Sequence, residues 1–128
     1  MNKSIFILIT TLFIIGCGAL DYNKSIGLGY SIHRMNKFEK IIGPDNGRLL
    51  YTTSQDLGPL NQYSIFGKTI IAKHYGAKKR LKFKGDNALE KDTTITKYII
   101  INTQKNTYEG PLNKLPSKFN KLQWLTAP

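Results

Sequence analysis

The chain has 128 residues, with 19 Lys and Arg against 8 Asp and Glu, for a formal net charge of +11. That length suits one domain with one modest core, and a single cysteine, Cys17, excludes an intramolecular disulfide. So basic a balance points to nucleic acid, anionic lipid or an acidic protein as partner.

The first seventeen residues narrow that choice. Lys3 is followed by an apolar run from Ile5 to Ile15, interrupted only by Thr10 and Thr11. The run is short of the roughly 20 residues a bilayer-spanning helix needs. A positive start, a short apolar core and a small residue before a cut are the parts of a secretory signal. Its end, Ile14-Ile15-Gly16-Cys17, resembles the lipobox of bacterial lipoproteins. The resemblance implies that residues 1–16 are a signal peptide, that cleavage falls between Gly16 and Cys17, and that Cys17 carries the lipid, a thioether-linked diacylglycerol. Its new amine is often acylated too, for instance by palmitate. Two or three acyl chains make a stable anchor where one is marginal. An ordinary signal peptide or a short buried helix also accounts for the apolar run, but not for the sole cysteine standing at its end.

Removing residues 1–16 leaves 112 residues (128 less 16) with 18 cations and 8 acids. An envelope address makes nucleic acid a poor partner for that charge. In enteric bacteria an aspartate after the cysteine keeps a lipoprotein at the inner membrane; Gly18 stands here, so in a host with two membranes the outer one is expected.

Residues 17–25 show no apolar period and read as a tether, leaving 26–128 as a single β-rich domain. Ile26, Leu28, Tyr30 and Ile32 alternate with small or polar residues, the period of a half-buried strand. Phe38 to Ile42 is a second candidate strand, Gly43 to Gly47 a turn, and Arg48 to Thr52 a third strand. Thr53 to Gln62 is polar, broken by Gly58-Pro59, and reads as a loop. Tyr63 to Phe66 and Thr69 to Tyr75 flank a tight Gly67-Lys68 turn. Gly76-Ala77-Lys78 predicts another turn, into a strand Lys79 to Lys84 with Leu81 and Phe83 on its buried side. Gly85 to Thr94 reads as loop with a helical turn at Asn87 to Lys91. Lys97 to Asn102 is the most apolar strand and predicts a central place covered on both faces. Thr103 to Asn106 is a hairpin turn, and Thr107 to Glu109 its partner strand, stopped by Gly110-Pro111. A short helix is expected near Pro116-Ser117, and Trp124 is expected to cover an edge or end of the sheet.

Short strands with frequent turn signals predict an all-β or mostly β fold: a small antiparallel sheet, a sandwich or a curled meander, with a short C-terminal helix, after a cleaved N-terminal signal helix. Gly58-Pro59-Leu60-Asn61 and Gly110-Pro111-Leu112-Asn113 match each other, over too few residues to establish a repeated unit.

Leu28-Gly29-Tyr30-Ser31-Ile32, and Tyr98 to Asn102 followed by Tyr108-Glu109-Gly110-Pro111-Leu112, resemble a family of small uncharacterised bacterial lipoproteins, a domain of unknown function. That family has a cysteine-led tether, a Gly-Tyr strand, and an aromatic-aliphatic strand with a polar turn before Gly-Pro-Leu. Asn102 stands where the family often has an acid. The resemblance implies no activity and carries over no functional residue.

No local signature of catalysis appears. His33 and His74 have no carboxylate nearby in sequence, and there is no Cys-x-x-Cys, His-Glu-x-x-His or phosphate-cradling glycine loop. Neither enzyme activity nor a cofactor or metal is expected. The best binding candidate is the basic segment Lys78, Lys79, Arg80, Lys82 and Lys84, which Lys73 and Tyr75 precede. Its ordinary reading is a solvated strand face whose lysines guard an edge. Its sharper reading is a footprint for an anionic envelope surface or an acidic protein. The function expected is therefore a lipid-anchored envelope protein acting as a binding or structural module, held to the membrane through Cys17. The alternative is an immunity or inhibitor protein that neutralises a toxin or hydrolase; a basic inhibitor suits an acidic target.

Overall fold

A computed structural model describes residues 22–128. The expected signal peptide, its expected cleavage and lipidation site at Gly16 and Cys17, and residues 18–21 lie outside the described residues. The described chain is mostly β, in two antiparallel sheets. The first holds β1 (Tyr22–Gly27), β2 (Tyr30–Arg34) and β3 (Lys40–Pro44) in sequential order. The second holds β4 (Leu60–Phe66), β5 (Thr69–Lys79), β6 (Leu89–Asn102), β7 (Thr107–Leu112) and β8 (Leu125–Thr126), in the order β7-β6-β5-β4-β8.

One apolar cluster joins the sheets. Tyr30, Ile32 and Ile42 from the first meet Ile70, Ala72, Ile99 and Ile101 from the second, all fully buried. Cross-strand pairing explains the selection. Ile70 pairs with Ile101 and Ala72 with Ile99, so these four share one face. The opposite face carries Ile71, Lys73, Tyr98 and Ile100, covered in part by the returning C-terminal segment. To pass from β7 at one edge to β8 at the other, residues 113–124 cross that face. Phe119 meets Phe66 edge-on, Trp124 lies beside Tyr98 with Lys73 4.4 Å over its ring, and Ser64 donates to Gln123 O at 2.8 Å. Trp124 thus covers a sheet face on its way to the edge strand.

Several sequence expectations are corrected. The C-terminal helix is a single 3₁₀ turn, Ser117–Phe119, with no side-chain cap at its start; Pro116 removes a donor and biases Leu115 toward extended backbone. Tyr22 to Ser25, expected in the tether, form most of β1, which pairs with β2. The alternating run Ile26 to Ile32 is a hairpin: Gly27, Leu28 and Gly29 all have positive φ and reverse the chain. Arg48 to Thr52 is not a strand, because Tyr51 leaves the surface to bury its ring in the core. Gly76 is not a turn but a strand residue at a register shift, where a Cβ would strike Ile95. Asn87 to Lys91 forms no helical turn, since β6 begins at Leu89. Gly110-Pro111 does not stop β7, an edge strand on which proline is tolerated.

The two Gly-Pro-Leu segments share a physical constraint. A Cβ on Gly58 would lie 2.0 Å from Gly76 O, and one on Gly110 2.5 Å from Tyr98 O. Each glycine lets its chain press against the backbone of a neighbouring strand, beside a register shift.

Candidate functional site

Lys78 and Lys79 of the basic segment end a strand, and the rest, from Arg80 to Lys84, is a loop rather than the predicted strand. β5 ends at Lys79, and Arg80 N–H closes onto Ala88 O at 2.8 Å. Inside that closure the Asp86 carboxylate accepts from Arg80 Nε at 3.1 Å, Lys82 N–H at 3.3 Å and Ala88 N–H at 3.0 Å. A carboxylate that gathers local donors offers the backbone an alternative to the ladder, and Gly85 at φ +88° completes the turn. Leu81 and Phe83 therefore hold nothing down: they are 81% and 64% exposed. Their predicted burial is corrected accordingly. Arg80 beside Asp86 holds its carboxyl below the usual range, with the Ala88 amide adding to the effect.

The loop does not bring the five predicted cations to one place. Arg80 and Lys82 line a groove of about 820 Å³ between the sheets, whereas Lys78 and Lys79 line a smaller cleft with Gln55 and Asn87. Lys84 is exposed near the loop tip. Across the groove from Arg80 and Lys82 stand Arg34, Lys37 and Lys40 from the β2–β3 hairpin, and Lys91 joins them from β6. Glu90 is the one acid in this lining, and Asp86 neutralises Arg80 alone. Phe38 and Tyr75 supply aromatic surface, with Lys91 Nζ 5.1 Å over the Tyr75 ring.

Crowded cations have an electrostatic cost, and it shows at Lys40. Its ammonium donates to Ala127 O at 3.1 Å, and its pKa is lowered, first by burial and then by repulsion from Arg34 and Lys91. An anion placed in the groove relieves that repulsion. Sequence reading found Arg80 and Lys82 but missed Arg34, Lys37, Lys40 and Lys91. The only local sign was three cations spaced three apart on one hairpin, 34, 37 and 40, which means little until folding sets them against residues 80–91.

The histidines are committed elsewhere. His74, 1% exposed, donates from Nδ1 to Gly58 O at 2.8 Å and accepts at Nε2 from Tyr51 Oη at 2.8 Å. Tyr51 Oη in turn accepts from Ile42 N–H at 3.1 Å. The acceptor-only carbonyl of Gly58 sets the tautomer. Burial pushes His74 down to about 4 and the Tyr51 hydroxyl well above its usual value. His33 contacts Asn23 Oδ1 through Nδ1 and Pro44 O through Nε2, both at 3.0 Å. Among the described residues no three His, Cys, Asp or Glu side chains converge as metal ligands, and no helix is long and apolar enough to cross a membrane.

Comparison with protein-family models, curated proteins and solved structures finds no match to this chain.

Proposed function

We propose that this chain is a lipid-anchored, non-catalytic binding module of the bacterial cell envelope, attached through Cys17, whose basic groove receives an anionic group of the envelope. The observation that carries the binding half is the groove: six cationic side chains from three separate elements line it with one carboxylate. A merely solvated face spreads its charges apart; here Lys40 is half-buried, and burial first and then repulsion from Arg34 and Lys91 lower its pKa. The anchoring half rests on Ile14-Ile15-Gly16-Cys17, and in a host with two membranes the outer one is proposed. The two histidines are spent on structural hydrogen bonds and neither lines the groove.

Two measurements on the full-length protein test this. Radioactive palmitate should label the parent and not Cys17→Ser; equal labelling removes the anchor. Calorimetric titration with pyrophosphate should show binding that weakens at least tenfold in Arg34→Gln/Lys40→Gln/Lys91→Gln, and that falls with salt because screening acts over about 10 Å at 0.1 M. Binding that ignores both the triple substitution and the salt removes the groove from the proposal. Capture of an acidic protein through the same residues would instead select the immunity or inhibitor role.

A further inference from the structure

Leu81 and Phe83 are the two most exposed large apolar side chains of the described residues. They are not on a frayed segment. The loop that presents them is closed by Arg80 N–H to Ala88 O and tied from within by Asp86, itself only 6% exposed. The loop's only acid is thus turned inward, while Lys82 and Lys84 alternate with the two apolar residues and stay exposed. Alternation of exposed apolar and cationic side chains suits a surface that is apolar beneath and anionic on top. A phospholipid bilayer has that structure.

The position of the chain start selects the same surface. Tyr22 pairs with Arg34, and Arg34 shares the groove lining with Arg80 and Lys82. The first described residue therefore leaves the domain at the end that carries the loop. Four residues separate Cys17 from Tyr22, so the five steps between them reach at most about 18 Å fully extended. A lipid on Cys17 holds this end of the domain, and not the end with the Gly67-Lys68 and Thr103–Asn106 turns, against the membrane. A second copy of this chain is the other obvious cover for Leu81 and Phe83, but it would bring two sets of lysines face to face.

We propose that the domain docks end-on to an anionic phospholipid bilayer, with Leu81 and Phe83 entering the interface and Lys82 and Lys84 meeting the phosphates. This rests on the reading of Cys17 as the lipidated residue. The acyl chains on Cys17 hold the domain at the membrane, and docking fixes its orientation there, turning the mouth of the basic groove toward the headgroups.

The test places the full-length acylated protein in vesicles of 30% phosphatidylglycerol and 70% phosphatidylcholine, with a nitroxide quencher on the lipid chains. In a Trp124→Phe background, Phe83→Trp reports on the loop and Gln104→Trp on the far end. Phe83→Trp fluorescence should be quenched several-fold more than that of Gln104→Trp, and less in pure phosphatidylcholine. Adding Lys82→Gln and Lys84→Gln should shift the docked-to-free ratio about fivefold per lysine. No quenching of Phe83→Trp while palmitate still labels Cys17 overturns the docking and leaves the anchor intact. Quenching of Phe83→Trp without palmitate on Cys17 keeps the docking and overturns the anchor. Equal quenching at both positions overturns the end-on orientation. A blue shift of Phe83→Trp that needs protein concentration and no lipid identifies a second copy as the occupant and also overturns the proposal.

Discussion

His74 and Asp86 are both almost enclosed, and each binds backbone groups that secondary structure leaves over, yet their surroundings differ completely. Around His74 every neighbour is packed: Tyr51 stands edge-on to its ring at 5.4 Å, and the bonds to Gly58 and onward to Ile42 join the loop, the second sheet and the first. Around Asp86 the same kind of local bonding ends one residue short of solvent, with Leu81 and Phe83 uncovered. A buried polar group must be satisfied because leaving it unpaired costs about 1–3 kcal/mol. That requirement explains the His74 cluster fully. It explains why the Asp86 loop is ordered, but not why it displays apolar surface. The first cluster serves the fold, and the second leaves the apolar surface of Leu81 and Phe83 exposed.

The sharpest break of this comparison is Tyr51→Ala. It empties a buried aromatic site and strips partners from His74 and from Ile42 N–H, so it should lower stability by about 4 kcal/mol. For a domain this small that is a large part of the total, and chemical denaturation should show a partly unfolded population in buffer. A loss under about 1 kcal/mol would mean that Tyr51 does not bridge the sheets.

Acid should separate the two clusters by pH. His74 is held near 4 in the fold and titrates near 6.5 when unfolded. The unfolded chain takes up the proton first, so this stability is complete above pH 6.5 and is lost as pH falls toward 4. The loss is roughly 3–4 kcal/mol, from about 2.5 pH units at about 1.4 kcal/mol each. Asp86 has its pKa lowered from 3.8, so its contribution is present above that value and disappears only at lower pH. Urea midpoints measured between pH 7.5 and 4.5 should therefore decline in the parent; a flat profile would show that His74 is not kept neutral by burial.

The smallest expected change sharpens the comparison most. Leu81→Ser/Phe83→Ser should alter stability by less than about 0.5 kcal/mol, as exposed substitutions usually do. A melting temperature lowered by many degrees would show that these residues pack against the domain after all.

Much of the architecture was legible in the sequence because strand periodicity and turn chemistry are local. The Gly67-Lys68 and Thr103–Asn106 hairpins stand where glycine and polar residues interrupt apolar runs, and Tyr98 to Ile101 reads as sheet core from its composition alone. Lys79 to Lys84 misled for the same reason. Alternation of Leu81 and Phe83 with Arg80, Lys82 and Lys84 satisfies the pattern of a strand, but Asp86, a few residues on, draws the backbone into a turn. The site was less legible still. The predicted cations were chosen because they are neighbours in sequence, and folding sends Lys78 and Lys79 to one cleft and Arg80 and Lys82 to another.

What the sequence determined by itself was the β character, most of the hairpins and the lipobox-like end of the apolar run, since each depends on residues within a few positions of one another. The tertiary structure decided which alternating runs become strands and which charges become neighbours. Arg34, Lys40 and Lys91 meet only because two sheets pack on one apolar core. Coulomb repulsion depends on distance in space, and no reading along the chain supplies the distance between residues 34 and 91.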